Sequence, residues 1–369
     1  MHKVELVGKF FDNHSLSIVN RNLALNLKDS VDLRCVALDE PSSNTVNKSE
    51  IYEIVALTQK NEFVPDIQVR HSYPPIWNWP TEKTTRVVYI QPWEFSSAPL
   101  EWQHKFETFA DLVIVPSSFN AKTYLSAGLN PSRLKVVANG YNSDIYYNKN
   151  KRATDKVKVL YVGCHQYRKG VDLLLELWSK ATKAQDSLSL TIKDTPKVYG
   201  QSNLQQDIIK LQYQNKCAEI VYDDSDKTDA EMSDLYNEHH ILVHPYRGEG
   251  FGMHVQEAMA CGCIPIVTEG GATDDFVNDY KIASSAKPVN MYDIFGLKPE
   301  DASTHMGQHK YVIEPSIQSL AEQLQTVLKD IKTIEVDTSK LKNWQKVSND
   351  YLSAFDYVIN NFESTKRKE

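Results

Sequence analysis

The stretch that decides the fold is residues 241–271, ILVHPYRGEGFGMHVQEAMACGCIPIVTEGG. It opens on an apolar run, Ile241 to Val243, and breaks at a Pro- and Gly-rich turn. Val255, Ala258 and Met259 then recur at helical spacing, and after Gly262 a second apolar run covers Ile264 to Val267. Strand, loop, helix and strand within about thirty residues is the size of a βαβ unit. Glu249 and Glu257 stand eight positions apart, one in the loop and one about two turns into the helix. Between them, Gly250-Phe251-Gly252-Met253 leaves backbone N–H groups free at a helix start, where an anion is favoured. Such a site offers amide donors to a phosphate and two carboxylate acceptors to hydroxyls. A sugar nucleotide carries both kinds of group.

Outward from this unit the same alternation repeats. Residues 3–7 form a short apolar strand that runs into Gly8, a loop, and a helix from Ser15 with Leu16, Val19, Leu23 and Leu27 on one stripe. Strands are expected at 33–38, 66–71, 86–93 and 112–116, with helices between them, which is the pattern of buried parallel strands. Two strand-end loops are aromatic, 71–77 with Trp77 and 91–95 with Trp93 and Glu94. Ligands of open α/β sheets bind beyond the carboxyl ends of strands. Trp77, Trp79 and Trp93 therefore stack on a sugar ring or pack loop against core, and the sequence leaves both open. Asn139-Gly140 and the polar run to Thr154 read as a linker, with the domain boundary near 148.

A second alternating series follows. Val157 to Val162 leads through Gly163 to a helix with Val171, Leu174, Leu175 and Trp178, and Arg168 and Lys169 stand at its entrance. Two cations beside a helix start make a site for a diphosphate. Strands at 187–193 and 218–222 come next, and 280–309 reads as a long irregular loop, the usual form of a cover over a cleft. Residues 341–362 carry Trp344, Val347, Tyr351, Phe355 and Ile359 as a terminal helix.

Composition sets the bounds. At 369 residues the chain is long enough for two domains, each able to bury its own core. Net charge −7 and pI 5.9 argue against nucleic acid as a partner. No apolar run is long enough for a membrane helix, and the N-terminus lacks the apolar region of a signal peptide. Five cysteines, odd in number and sparse, fit a reducing, cytoplasmic setting. The histidines His239, His240 and His244 read as strand-end packing rather than a metal site.

The segment E-G-F-G-x-x-x-x-E-A-M-A-C-G-x-I-P-I-V, from Glu249, resembles the E-x7-E signature of retaining, nucleotide-sugar-dependent glycosyltransferases of family 4. The resemblance implies the GT-B fold, in which two Rossmann-like doubly wound domains face a central cleft. Residues 1–148 would bind the acceptor, 149–345 the nucleotide sugar, and a helix in 346–369 would cross back to the first domain. It implies hexosyl transfer with retention, without metal or other cofactor, to a glycan or glycoconjugate hydroxyl, as in polysaccharide biosynthesis from UDP or GDP sugars. Glu249 would hold donor-sugar hydroxyls, Glu257 the ribose, and Lys169, Arg168 and the amides of Gly250, Phe251, Gly252 and Met253 the diphosphate. Gly8 would sit at the cleft mouth, and Glu94 would be the catalytic polar group of the first domain, with His71 and His14 behind it. The family's Arg beside the first glycine of the second domain is Cys164 here. That departure keeps a second expectation in play, a catalytically weak partner subunit that binds sugar nucleotide or glycan. A phosphorylase or epimerase on the same fold matches this segment less closely. Contact with the inner membrane face and the oligomeric state stay open.

Overall fold

The computed structural model describes residues 1–41, 46–60, 62–150, 155–196, 203–215, 217–289 and 311–362. The chain divides into two compact units. Residues 1–140 and 342–362 belong to the first, and the described residues of 141–341 form the second, so the division falls at Gly140–Tyr141.

The first unit holds a parallel sheet of β1 (Lys3–Gly8), β2 (Asp32–Ala37), β3 (Ile67–His71), β4 (Arg86–Ile90), β5 (Leu112–Val115) and β6 (Leu134–Val136), in the order β2-β1-β3-β4-β5-β6. Helices α1 (Ser15–Leu27), α2 (Lys48–Thr58), α3 (Leu100–Phe109) and α4 (Ser118–Ser126) connect the strands. Every residue of β5 is buried, as a parallel strand covered on both faces requires. Trp77 packs its ring on Tyr89, Phe106 and Phe109 at centroid distances of 5.2, 5.0 and 6.4 Å. Trp93 is buried and donates its indole N–H to the Ser97 carbonyl at 2.7 Å. For these two rings the choice left open by the sequence resolves to packing.

The second unit repeats the plan with β7 (Val157–Val162), β8 (Leu188–Lys193), β9 (Glu219–Asp223), β10 (Ile241–His244), β11 (Ile264–Thr268) and β12 (Lys281–Ile282), in the order β12-β11-β10-β7-β8-β9. Its helices are α5 (Val171–Ala181), α6 (Leu204–Asn215), α7 (Asp229–Glu238), α8 (Met253–Ala260) and α9 (Ile317–Asp330). Val159, Leu174, Trp178, Ile241, Ile264 and Leu324 share one core. Burying the Trp178 indole there is affordable because its N–H reaches the Ala218 carbonyl at 3.0 Å. Residues 281–288 depart from the expected irregular loop: they form β12 and β13 (Ser284–Pro288), and β13 pairs antiparallel with β14 (Tyr311–Pro315). The remainder of that expected cover, 290–310, lies outside the described residues.

The last helix, α10 (Trp344–Asn361), belongs to the first unit and packs against α1. Trp344, Val347, Tyr351, Phe355 and Val358 form its buried stripe, so Val358 takes the place expected of Ile359. A Cβ on Gly140 would come within 2.7 Å of Trp344, so only glycine lets the backbone pass there.

Candidate active site

Strand order creates the site in the second unit. The chain winds outward from β7 through β8 to β9, then returns to lay β10 on the other side of β7. At such a switch point the loops leaving neighbouring strands diverge and open a crevice at their carboxyl ends. Here those loops carry Lys169, after β7, and Glu249, after β10. Residues Tyr167–Lys169 form one 3-10 turn that ends on Gly170 with φ 72°. The Arg168 carbonyl accepts from the amides of Arg247, at 2.6 Å, and Gly248, at 3.2 Å, which fixes one loop to the other.

Arg247, which sequence reasoning passed over, pins this junction. It is buried, and its guanidinium binds both Asp172 oxygens at 2.8 and 2.7 Å, Glu314 at 3.0 Å and the Tyr167 carbonyl at 2.8 Å. Burial would lower its pKa, but these two carboxylates raise it further, and the cation is permanent. No local signal marks Arg247, because its partners come from α5, β14 and the 3-10 turn.

Lys169 Nζ lies 2.5 Å from Glu249 Oε2, and the two side chains are each only 12% exposed. His244 Nε2 stands 3.2 Å from the same oxygen, while Glu249 Oε1 accepts the Gly250 amide at 3.2 Å. Burial alone would push the Glu249 carboxyl up; the Lys169 ammonium, the His244 hydrogen bond and Arg168 outweigh it and hold the acid well below the usual carboxylate range. Arg168 itself is half-buried and donates to the Gly248 carbonyl at 3.4 Å. Cys164 is buried, and burial raises its thiol, so it brings no charge to the site. Among the described residues, His244, Glu249 and His254 form a group whose potential ligand atoms lie within 4.8 Å of one another. Lys169 already supplies a cation at Glu249. His239 caps the C-terminus of α7 and contacts the Leu235 carbonyl and Thr191, His240 accepts the Lys158 amide just before β10, and His244 faces the site.

Helix α8 starts at Gly252 in the left-handed region, φ 94°, with no side-chain cap. The amides of Phe251, Gly252 and Met253 have no acceptor among the described residues, whereas that of Gly250 is taken by Glu249. Glu257 is the fifth residue of α8, so it lies just beyond the first turn rather than two turns in. Its Oε2 accepts the Tyr236 hydroxyl at 3.1 Å. Burial, reinforced by the charge of Asp229, pushes its pKa up to about 8 against the opposing Tyr236 bond.

In the first unit Gly8 ends β1 opposite His71 at the end of β3, again where strand order reverses. A Cβ on Gly8 would lie 2.3 Å from the Asn20 amide and 2.5 Å from the His71 carbonyl. Asn20 holds His71 Nδ1 at 2.8 Å, and burial lowers that ring's pKa to about 3. Glu94 is half-buried beside Tyr73 and Tyr124, whose phenols are raised first by burial and then by its charge. His14 caps α1, accepting the Leu16 amide at 3.3 Å, and so has a local structural task.

Residues 142–295 match the family model described as glycosyl transferases group 1. An uncharacterised glycosyltransferase of Methanocaldococcus jannaschii is 30% identical over 175 residues, 47% of this chain and 44% of that protein. The GDP-mannose:cellobiosyl-diphosphopolyprenol alpha-mannosyltransferase of Xanthomonas campestris is 27% identical over 156 residues, 42% of this chain and 40% of that protein. The chain thus spans less than half the length of these curated relatives. Among solved structures, Anabaena Alr3699/HepE in complex with UDP and glucose superposes with a TM-score of 0.60 at 13% identity, covering 96% of this chain and all of that one. At that identity the likeness speaks for the fold, which is GT-B: two Rossmann-like α/β units, each built on a parallel sheet.

Proposed function

We infer that this chain is a glycosyltransferase that moves a hexosyl group from a nucleotide diphosphate sugar to a hydroxyl of a glycan or glycoconjugate, with retention of configuration. The observation that carries the reading is the Lys169–Glu249 pair, 2.5 Å apart, at the entrance of a helix with open amides. Charge grows on the diphosphate as the glycosidic bond stretches, and preorganised donors at that position lower the barrier. Lys169, Arg168 and the amides of Phe251, Gly252 and Met253 are such donors. Gly250 is already committed to Glu249, which trims the expected set by one. The Glu249 carboxylate, kept ionised, accepts hydroxyls of the donor sugar near the reacting carbon. Glu257 takes the ribose, and two acceptors gripping the donor at both of its sugars orient it better than one. In the first unit Gly8, where a Cβ would meet Asn20 and the His71 carbonyl, presents its backbone toward the donor, and Glu94 acts as the polar group toward the acceptor.

The matches to a UDP complex and to a GDP-mannose enzyme support a UDP or GDP sugar as donor. No helix of the described residues is long and apolar enough to cross a membrane. Independently of that, we take the enzyme as cytoplasmic, with peripheral contact to the inner membrane face. The buried, uncharged Cys164 supports the second reading, a weakly active partner subunit that binds sugar nucleotide or glycan. Calorimetry with UDP, GDP, dTDP and ADP, followed by release of free sugar from the matching donor without acceptor, separates the two. Binding with slow donor hydrolysis, unaffected by EDTA, supports the metal-independent transferase. Binding with no hydrolysis and no transfer points to the subunit, and failure of all four nucleotides to bind removes the transferase and leaves a glycan-binding subunit.

A further inference from the structure

Glu249 faces a conflict that Lys169 alone does not resolve. A diphosphate in the site draws the Lys169 ammonium, and a carboxylate held only by that ammonium would follow it or turn away. His244 is the other contact on the same oxygen, 3.2 Å from Nε2 to Oε2. An ionised carboxylate can only accept, so His244 Nε2 carries the hydrogen and donates it. In a neutral ring Nδ1 is then bare. Nδ1 is buried, with no hydrogen-bond partner among the described residues.

Three rings hold this imidazole in place. His254, on the first turn of α8, stands at 90° to it with centroids 4.2 Å apart; Tyr246 lies at 5.1 Å and Tyr161 at 6.3 Å. The charged groups facing it are Glu249, Lys169 and Arg168. Burial lowers its pKa to about 4, so it is neutral through the physiological range; burial also holds the His254 imidazole well below its ordinary value.

The geometry points to His244 as a positioning residue: one fixed tautomer, boxed by His254 and Tyr246, donates Nε2–H to Glu249 and keeps that carboxylate aimed when Lys169 turns to the donor phosphates. Its consequence for catalysis rests on the transferase reading, whereas the tautomer itself does not.

The test joins three variants to one spectrum. His244→Leu removes the donor; His244→Gln places an amide N–H near the position of Nε2; His244→Asn places one near Nδ1, too short to reach Glu249. In His244→Leu and His244→Asn, kcat falls by about 10- to 100-fold, the span of a hydrogen bond to a charged group, while nucleoside diphosphate affinity stays within about threefold. His244→Gln recovers most of the rate. Unchanged kcat in a folded His244→Leu, or equal loss of binding and rate in all three, overturns the proposal. Nitrogen-15 spectra of histidine-labelled wild type, free and with nucleoside diphosphate, show His244 as the Nε2–H tautomer at pH 7. An Nδ1–H or doubly protonated ring overturns it whether or not sugar is transferred. Activity lost to a chelator and restored by Zn²⁺ also overturns it, because the imidazoles would then be ligands. A wild type that shows the tautomer but moves no sugar sinks the transferase reading and leaves the positioning geometry standing.

Discussion

Gly170 and Pro245 touch across the two loops that build the site: a Cβ on Gly170 would lie 1.9 Å from the Pro245 carbonyl oxygen. Gly170 also holds φ 72°, where a side chain is strained whatever the space. Both penalties act at once in Gly170→Ala. Urea denaturation should show a loss of about 2–4 kcal/mol, and nucleoside diphosphate binding should weaken even where the protein stays folded. A stable variant with unaltered binding would mean that the loops do not depend on each other.

Lys169→Met strands a buried carboxylate. Breaking such a pair from one side costs about 3–5 kcal/mol, whereas replacing both partners is far milder. Lys169→Met should therefore destabilise clearly, and Lys169→Met combined with Glu249→Gln should be more stable than Lys169→Met alone. Additive losses in the double-mutant cycle would contradict the coupling.

Glu257 gives the protein a pH dependence of known sign. Its folded pKa is raised to about 8, above the unfolded value, so its share of stability is full below the unfolded pKa and is lost as pH rises through 8. Melting curves of wild type and Glu257→Gln between pH 6 and 9 should diverge, with the variant gaining relative to wild type toward pH 9. Parallel curves would place the carboxyl at an ordinary pKa. Glu257→Ala should weaken the bound nucleoside diphosphate about tenfold, roughly 1.4 kcal/mol.

Arg247→Lys removes a planar fork that meets both Asp172 oxygens, Glu314 and the Tyr167 carbonyl at once. Asp172 is half exposed, which softens that part of the contact. A loss of about 2 kcal/mol in urea is expected, with transfer falling more steeply than stability because Arg168 and Gly248 lose their shared anchor. Wild-type behaviour would show that the backbone bonds to the Arg168 carbonyl suffice.

Much of the frame was legible in the residues. Strands buried on both faces are largely apolar, and Leu112–Val115, Ile241–His244 and Ile264–Thr268 are buried along their whole length, polar only at the His244 and Thr268 ends. The helix expected from Ser15 starts there, and Val19, Leu23 and Leu27 of its expected stripe are buried. Short-range chemistry also singled out Lys169 and Glu249, whose side chains the structure brings 2.5 Å apart, since glycines beside a helix start leave a local trace. The terminal helix shows the limit: its buried stripe passes through Val358, because the choice between adjacent apolar positions is made by what the helix packs on.

Sequence by itself determined the alternation of strands and helices, the glycines at the loop ends and the residues that bear charge, because these depend on neighbours a few positions away. Tertiary structure alone decided which of them meet. His244 and Glu249 are five residues apart, yet their meaning comes from Lys169, eighty positions upstream, brought there because β10 lies beside β7. It also decided that Trp77 and Trp93 serve the core, and that Arg247 is shut away among carboxylates rather than solvated. Burial and partnership depend on strand order, and strand order is settled by the whole chain.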